Sequence, residues 1–311
     1  MTATAPAVVE VVRSGYVESR HEASLLVVGP DGERVLSLGE VDRPWFPRSA
    51  NKPLQAAALL ALGWVPAAPE QLALACASHS GEPGHVEVVR EVLGELGTEA
   101  LGCPPDLPLD EAAARAVLAA GGGPERLTMN CSGKHAAMLR TCVVNGWPLE
   151  GYLDPAHPLQ QRLQPLLEEL AGERVRHVAV DGCGAPQHAL TLGGLARAFA
   201  LLARDGGPVA VAMREHPWHV GGTGRDVTRL MEGLPGLVAK DGAEGVVAAA
   251  LPDGAAVVVK VHDGAARARM PLLVAGLRAL GRSEPVLDEL ATTPVLGGGR
   301  RVGEARVARP G

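Results

Sequence analysis

The sequence contains few cysteines, few aromatic residues and no long apolar run. Its 311 residues include five cysteines, and an odd number in a chain without a visible secretory signal argues against a disulfide framework. The longest apolar stretch, residues 56–68, is interrupted by Gly63 and Pro66 and is shorter than the ~20 residues of a membrane-spanning helix. The net charge of −6 disfavours a nucleic-acid-binding protein, which normally has a basic face. We therefore expect a soluble, cytoplasmic protein that binds neither nucleic acid nor membrane.

Lysine is unusually rare. The 29 basic residues comprise 25 arginines and only four lysines, at positions 52, 134, 240 and 260, and isoleucine is absent. Arginine stays protonated in proteins, whereas a buried lysine can lose its proton. The positions that keep lysine are therefore candidates for chemistry that needs an amine, although chance explains any single one equally well.

The apolar patterns predict an α+β fold. Strand patterns with hairpin turns occupy residues 8–18, 23–40 and 245–264, and a short final strand is expected near 300–308. Apolar residues at helical spacing occupy residues 86–97, 111–121, 157–172, 191–206 and 266–281. We expect a single domain over residues 1–311. In it, one antiparallel sheet is assembled from about 7–40 and 245–308, helices flank the sheet, and a mostly helical lobe of about 66–240 is inserted.

Ser49 and Lys52 are three residues apart where a helix is expected to begin, because Pro53 is tolerated only in a first turn. Residues at this spacing share a helix face, so the Lys52 amine can reach the Ser49 hydroxyl and act as its base. The pattern also occurs in penicillin-binding proteins and β-lactamases. An ordinary serine cap followed by a solvated lysine is the alternative.

A second candidate site combines Cys131, Lys134 and His135 with Asp181 and Cys183. Cysteine, histidine and aspartate are zinc ligands, and Cys131 and His135 would share one helix face. A pair of buried thiols and a cysteine nucleophile with a histidine base are the open alternatives.

A run of small polar residues, Cys76 to Glu82, contains Ser78, His79 and Ser80 and looks like the edge of a site. The alternative is that one of the serines caps the following helix. Lys240 precedes an Asp-Gly turn, and Lys260 lies in an expected strand and has no assigned role.

Five segments together resemble the asparaginase II family, the Ser–Lys L-asparaginases. They occur in the family's order and at compatible spacing over nearly the whole chain: RSANKPLQA (48–56), ASHSGEP (77–83), NCSGKHAAML (130–139), DGCGAP (181–186) and GRDVTRLMEGLPGLVAKDG (224–242). The resemblance implies a fold similar to penicillin-binding proteins, β-lactamases and serine glutaminases.

The resemblance also implies two catalytic Ser–Lys pairs. Ser49 with Lys52 matches the first pair and Ser78 with Lys240 matches the second, with Ser49 as the family's preferred nucleophile. The residues that it implies near the substrate are Arg48, Ser80, His135 and Asp181.

A zinc site held by two cysteines, a lysine and water is a further family property, and Cys131, Lys134 and Cys183 match its ligands. His135 and Asp181 then lie beside the ligands, and a homodimer is the expected assembly. The implied activity is hydrolysis of L-asparagine, a small-molecule substrate, to L-aspartate and ammonia. A Ser–Lys enzyme acting on glutamine, a β-lactam or a D-Ala peptide, and a non-enzymatic zinc-binding protein, are the alternatives.

Overall fold

Ten strands form in the computed structural model, which describes residues 5–204 and 206–308. Most of them come from valine- and alanine-rich segments, because these side chains suit a pleated, buried surface. The strands are β1 (Ala7–Arg13), β2 (Tyr16–Val28), β3 (Arg34–Leu38), β4 (Val178–Val180), β5 (Pro186–His188), β6 (Val238–Gly242), β7 (Val246–Ala250), β8 (Ala256–Val261), β9 (Thr293–Gly297) and β10 (Arg300–Val307).

The same residues form twelve α-helices, and proline occupies the first turn of seven of them, where its missing N–H costs nothing. The helices are α1 (Lys52–Ala61), α2 (Pro69–Ala75), α3 (Pro83–Leu93), α4 (Glu111–Ala119), α5 (Ser132–Asn145), α6 (Pro158–Ala171), α7 (Leu192–Arg204), α8 (Pro208–Glu215), α9 (Pro217–Val220), α10 (Asp226–Gly233), α11 (Arg269–Ala279) and α12 (Pro285–Leu290). None of the described helices is long and apolar enough to cross a membrane.

The described part of the chain divides into two compact units. The sheet unit comprises residues 5–50, 189–204 and 229–308, and the helical unit comprises residues 51–188 and 206–228. Each unit is therefore built from segments that are distant in the sequence.

The sheet unit contains one eight-stranded sheet in the order β6-β7-β8-β2-β1-β10-β9, with β3 also paired to β2. The pairings within this sheet are antiparallel, and the first strand of the sequence lies between β2 and the last strand, β10. Strands β7 and β8 are buried along their whole length. Helix α7 lies near Leu26 and Val28, whereas Gly276 of α11 lies against Val27 and Val257. Because alternate residues of a strand point to opposite faces, the two helices cover the two faces of the sheet.

The helical unit is organised around α5, which packs against α1, α2 and α3. Residues 132–139 of α5 are all buried, and the two-stranded ribbon β4–β5 completes this unit. The α5 segment thus carries its polar residues, including Lys134 and His135, into a closed interior.

The α+β class and the antiparallel sheet built from both ends of the sequence are confirmed. The helical unit begins at residue 51, and two segments within the expected lobe of 66–240 lie outside it. Residues 189–204 belong to the sheet unit because α7 packs on the strands, and Val238–Gly242 forms a buried strand where the sequence suggested only a turn. Strand β9 lacks a clear apolar alternation and was not predicted.

Candidate active site

Ser49 lies in a 3-10 turn, Arg48–Asn51, directly before α1, so the predicted helix start near Ser49 is confirmed. Arg48 adopts the left-handed backbone conformation with φ +51, which is uncommon for a residue with a side chain and points to a constrained turn. Gly242, at the end of β6, lies against this turn: a Cβ atom there would be 2.5 Å from the Pro47 carbonyl oxygen and 3.2 Å from the Ala50 nitrogen. The Ser49 turn is thus held against the β6–β7 hairpin within the sheet unit.

Arg48, expected to lie near the substrate, faces the same hairpin. Its Nη1 atom is 3.9 Å from Glu244 Oε1, and Glu244 itself has φ +56. Two non-glycine residues with left-handed backbones therefore meet beside Ser49. Such conformations are typical of functional sites.

Lys52 is the first residue of α1, and its side chain is buried within the helical unit. Its Nζ atom donates to the Ala77 carbonyl, lies 3.1 Å from Ser78 Oγ and is 3.5 Å from the Asn130 carbonyl oxygen. The Lys52 amine donates in all three contacts, so the two carbonyls hold Nζ within hydrogen-bond distance of the Ser78 hydroxyl.

The contact between Lys52 and Ser78 was not among the pairs that the resemblance implied. Ser49 with Lys52, and Ser78 with Lys240, each join residues of different units and stay predictions. Within the helical unit, the Ser–Lys pair in contact is Lys52 with Ser78.

His79 fixes the backbone next to Ser78. Its Nδ1 accepts from the Gly81 N–H, so Nε2 carries the hydrogen and meets Ser132 Oγ at 2.9 Å. Burial, followed by the nearby positive groups, lowers the pKa of His79 well below its usual value. This neutral histidine ties the Ser78 segment to the start of α5, a role that the sequence pattern did not indicate.

Ser80 is buried and donates to the Gly221 carbonyl at 3.0 Å. Helix α3 has Glu82 at its N-cap position and no side-chain cap, so the alternative in which Ser78 or Ser80 caps this helix is wrong. The described bond of Ser80 is to the loop that begins at Gly221, and its expected contact with substrate stays a prediction.

Lys240 is fully buried in β6. Its Nζ atom is 2.6 Å from Asp241 Oδ1, and Arg269 Nη2 of α11 is 3.0 Å from the other carboxylate oxygen of Asp241. The carboxylate therefore bridges two cations. Sequence reasoning missed both partners, because Asp241 was assigned to turn chemistry and Arg269 is one of 25 arginines.

Lys260 is buried on β8. Its Nζ atom donates to the Glu244 carbonyl and lies 5.6 Å from the centre of the Trp45 ring. Burial lowers the pKa of Lys260, although Glu244 and Asp263 oppose the effect. The fourth lysine thus supports the same β6–β7 hairpin that packs on the Ser49 turn.

Cys131, Lys134 and Cys183 come together inside the helical unit. Lys134 Nζ is 3.1 Å from Cys183 Sγ. Hydrogen bonding to Cys183 and burial raise the pKa of the Cys131 thiol, while the same contact lowers that of Cys183. Burial alone would lower the pKa of Lys134, but the two sulfurs outweigh it and raise that pKa.

His135 and Asp181 flank this cluster. His135 Nδ1 is 2.6 Å from the Tyr152 hydroxyl, and the same ring is hydrogen-bonded to Cys183. Burial lowers the pKa of His135, which the nearby Cys183 partly offsets. Asp181 Oδ2 is 3.9 Å from Cys183 Sγ. Tyr152 is a further polar residue of the cluster that no motif indicated.

The cluster has only part of a conventional metal site. Among residues 5–204 and 206–308, no three His, Cys, Asp or Glu side chains are arranged to hold a metal ion. A metal at this position therefore depends on Lys134 as the third ligand. All five cysteines are buried and form no disulfide in the described residues, and burial raises the pKa of Cys103 and Cys142 to about 11.

The model of the family described as L-asparaginase II matches residues 9–307. The chain belongs to the L-asparaginase II family. Membership identifies this asparaginase II protein as a Ser–Lys amidohydrolase, and the segments that carry Ser49, Ser78, Lys134 and Lys240 all fall within the matched range.

Two solved structures are similar to this asparaginase II protein. A β-lactamase from Mycobacterium bovis is 17% identical, with 83% of this chain and 94% of that chain covered and a TM-score of 0.43. A mutant of the simvastatin synthase LovD from Aspergillus terreus is 13% identical, with 86% and 92% covered and a TM-score of 0.38. No curated protein matches the chain significantly.

Proposed function

We propose that this protein hydrolyses L-asparagine to L-aspartate and ammonia through an acyl-enzyme. The observation that carries the proposal is the contact between the buried Lys52 amine and Ser78 in a chain of the L-asparaginase II family. Lys52 is three residues after Ser49, the proposed nucleophile. A desolvated lysine beside a hydroxyl is a suitable base for an amide-cleaving serine.

In the acylation step, the Ser49 hydroxyl gives its proton to the neutral Lys52 amine while Ser49 Oγ forms a bond to the side-chain amide carbon. The C–N bond then breaks. The departing nitrogen takes a proton from the Lys52 ammonium through the Ser78 hydroxyl, which is 3.1 Å from Nζ, and leaves as ammonia.

In the deacylation step, a water molecule gives a proton to Lys52 through Ser78 and its oxygen bonds to the acyl carbon. The ester bond to Ser49 breaks, and Ser49 Oγ recovers a proton from Lys52. Aspartate is released, and both serines and Lys52 return to their initial protonation states.

Ammonia release from L-asparagine tests this proposal. We expect the wild-type protein to be active and the Ser49→Ala, Lys52→Arg and Ser78→Ala variants to lose at least about 100-fold in kcat, because general acid–base steps contribute ~10²–10⁴-fold. Ser283→Ala, at an exposed position in the loop between α11 and α12, is the matched control and should keep wild-type activity. Activity of the wild type on glutamine or a chromogenic β-lactam, but not on asparagine, would refute the proposed substrate.

The nucleophile is assigned by mass spectrometry of the acylated protein after rapid quenching with asparagine. An added mass on the peptide that contains Ser49 supports the mechanism. An added mass on the peptide that contains Ser78 would instead make Ser78 the nucleophile and Lys52 its direct base.

We further propose that Cys131, Lys134 and Cys183 hold a zinc ion. Two sulfur atoms and an amine come together there, thiolates are preferred zinc ligands, and His135 lies in the same buried cluster. A bound zinc ion would supply positive charge for substrate affinity, and the proton transfers described above involve only the protein's own groups.

Zinc content measured by elemental analysis tests this site. Cys131→Ser and Cys183→Ser should lower the zinc bound per chain, whereas Cys142→Ser, a buried cysteine elsewhere on α5, should not. Equal zinc content in all three variants would exclude the cluster as the site. The expected homodimer is tested separately by light scattering.

A further inference from the structure

A buried charge cluster separate from the Lys52–Ser78 contact is formed by Lys240, Asp241 and Arg269. These three residues belong to the sheet unit. Lys240 Nζ is 2.6 Å from both the side-chain oxygen Oδ1 and the backbone oxygen of Asp241. Arg269 contacts Asp241 Oδ2 at 3.0 Å and also donates to the Gly242 carbonyl at 3.1 Å. Lys240 and Asp241 are buried, and the Arg269 side chain is 13% exposed.

The two neighbouring strands of the sheet contain one charged residue between them. Lys240 pairs across the sheet with Ala248 of β7, a strand without charged residues, and β8 contributes only Lys260. At the hairpin end, Glu244 is close to Arg48 and accepts a hydrogen bond from Lys260 through its backbone. The Asp241 carboxylate is thus an anion in direct contact with Lys240.

We propose that Asp241 and Arg269 are positioning residues that keep Lys240 as a permanently charged ammonium ion in the active site. A buried ammonium in contact with a carboxylate is favoured in its charged form, and Arg269 fixes the carboxylate in the geometry that makes this contact. This inference rests on the proposed function, because it assigns the role of Lys240 within that reaction.

The consequence is a division of labour between two active-site lysines. Lys52 has two carbonyls and a hydroxyl as partners and no carboxylate among its described hydrogen bonds, and in the proposed reaction it is the group that exchanges a proton. Lys240 has a carboxylate at 2.6 Å and supplies a fixed positive charge instead. A neutral amine, which the sequence argument expected at both positions, is thus required by this proposal only at Lys52.

Lysine NMR tests the inference directly, because four lysines give four resolvable ¹³Cε signals in protein labelled at that carbon. The Lys240 signal is assigned as the one that disappears in Lys240→Arg. We expect it to remain that of an ammonium ion across the whole pH range of activity in the wild type. Loss of its proton within that range, with activity rising as the proton is lost, would overturn the inference.

Two variants separate a charge effect from a structural one. Asp241→Asn removes the counter-charge and leaves Arg269 to repel Lys240, so the pH at which Lys240 titrates should fall by about one unit or more. The double variant Asp241→Asn/Arg269→Gln removes that repulsion as well, so the fall should be smaller. Asp31→Asn, in an exposed turn, is the control and should leave the signal unchanged.

The pH at which kcat falls on the alkaline side should follow the order of the Lys240 titrations. In Asp241→Asn the loss of kcat at alkaline pH should begin at a lower pH than in the wild type, and the double variant should lie between the two. Equal titration of Lys240 in the wild type and both variants would overturn the inference. If Asp241→Asn does not fold, the double variant, which buries no unpaired arginine, still has to titrate below the wild type.

Failure of the proposed function is distinguishable from failure of this inference. A wild-type protein that releases ammonia from no amide refutes the function, whereas the NMR titration still reports whether Asp241 and Arg269 hold Lys240 charged.

Discussion

The close approach of Gly242 to the Ser49 turn leads to a quantitative prediction for Gly242→Ala. The glycine does not have a left-handed backbone, so alanine is allowed at this position and only the contact matters. The new Cβ would be 2.5 Å from the Pro47 carbonyl oxygen, about 0.9 Å closer than the 3.4 Å at which ordinary contacts begin. Both partners are backbone atoms, so the strand or the turn has to move.

A shift of this size affects stability and activity together. Overpacking of a buried contact costs about 1–3 kcal/mol of unfolding free energy. Misplacement of a catalytic group by about 1 Å can cost ~100-fold in rate. We therefore expect Gly242→Ala to lower kcat for asparagine about 100-fold while most of the protein remains folded, measured by ammonia release and by urea unfolding.

Gly123→Ala provides the matched control. It is the same substitution at a position with no atom within 4 Å of the new Cβ and no left-handed backbone. It should leave activity unchanged and stability equal or raised by up to about 1 kcal/mol. Wild-type kcat in Gly242→Ala, or an equal loss in Gly123→Ala, would refute the idea that this contact positions Ser49.

Three further predictions concern single residues. Tyr152→Phe removes a hydroxyl that is 2.6 Å from His135 Nδ1 and accepts from the Gly102 N–H at 2.8 Å. It should lower the unfolding free energy by about 1–3 kcal/mol in urea titrations, because buried nitrogens lose their partner. Asp110→Ala removes the N-cap of α4, where the carboxylate accepts from the Ala113 N–H at 2.7 Å, and should cost about 1 kcal/mol; no change would mean that the cap is replaced by water. Burial lowers the pKa of His188 to about 4. Between pH 6.5 and 4 this histidine is therefore protonated in the unfolded chain and neutral in the folded protein. Stability should therefore fall as the pH falls through that window, by about 2 kcal/mol between pH 7 and pH 5 for this group, and His188→Gln should lose less stability over the same interval.

The sequence predicted those features that depend on local pattern. The β1 and β2 hairpin follows from alternating apolar residues around Ser14-Gly15, and the helix start near Ser49 follows from Pro53. The three family lysines, Lys52, Lys134 and Lys240, are all buried, as expected for a chain that otherwise uses arginine.

The features that escaped prediction depend on contacts between distant segments. Arg269 is one arginine among many until the fold brings α11 to β6, and Tyr152 is far from His135 in the sequence. The β6 strand was not predicted because Lys240-Asp241-Gly242 has the composition of a turn. A buried edge strand accommodates this segment because the Asp241 carboxylate forms ion pairs with Lys240 and Arg269.

The position of β10 affects how the chain folds during synthesis. Strand β1 pairs with β2 on one side and with β10, the last strand, on the other. The ribosome synthesises a chain from its N-terminus, so β1 has an unpaired edge until residues near 307 have emerged. Residues 51–188 and 206–228, which form the helical unit, emerge earlier. The helical unit, with Lys52 already beside Ser78, is thus able to form cotranslationally, and the sheet unit with Ser49 and Lys240 is completed only after β10 has been made.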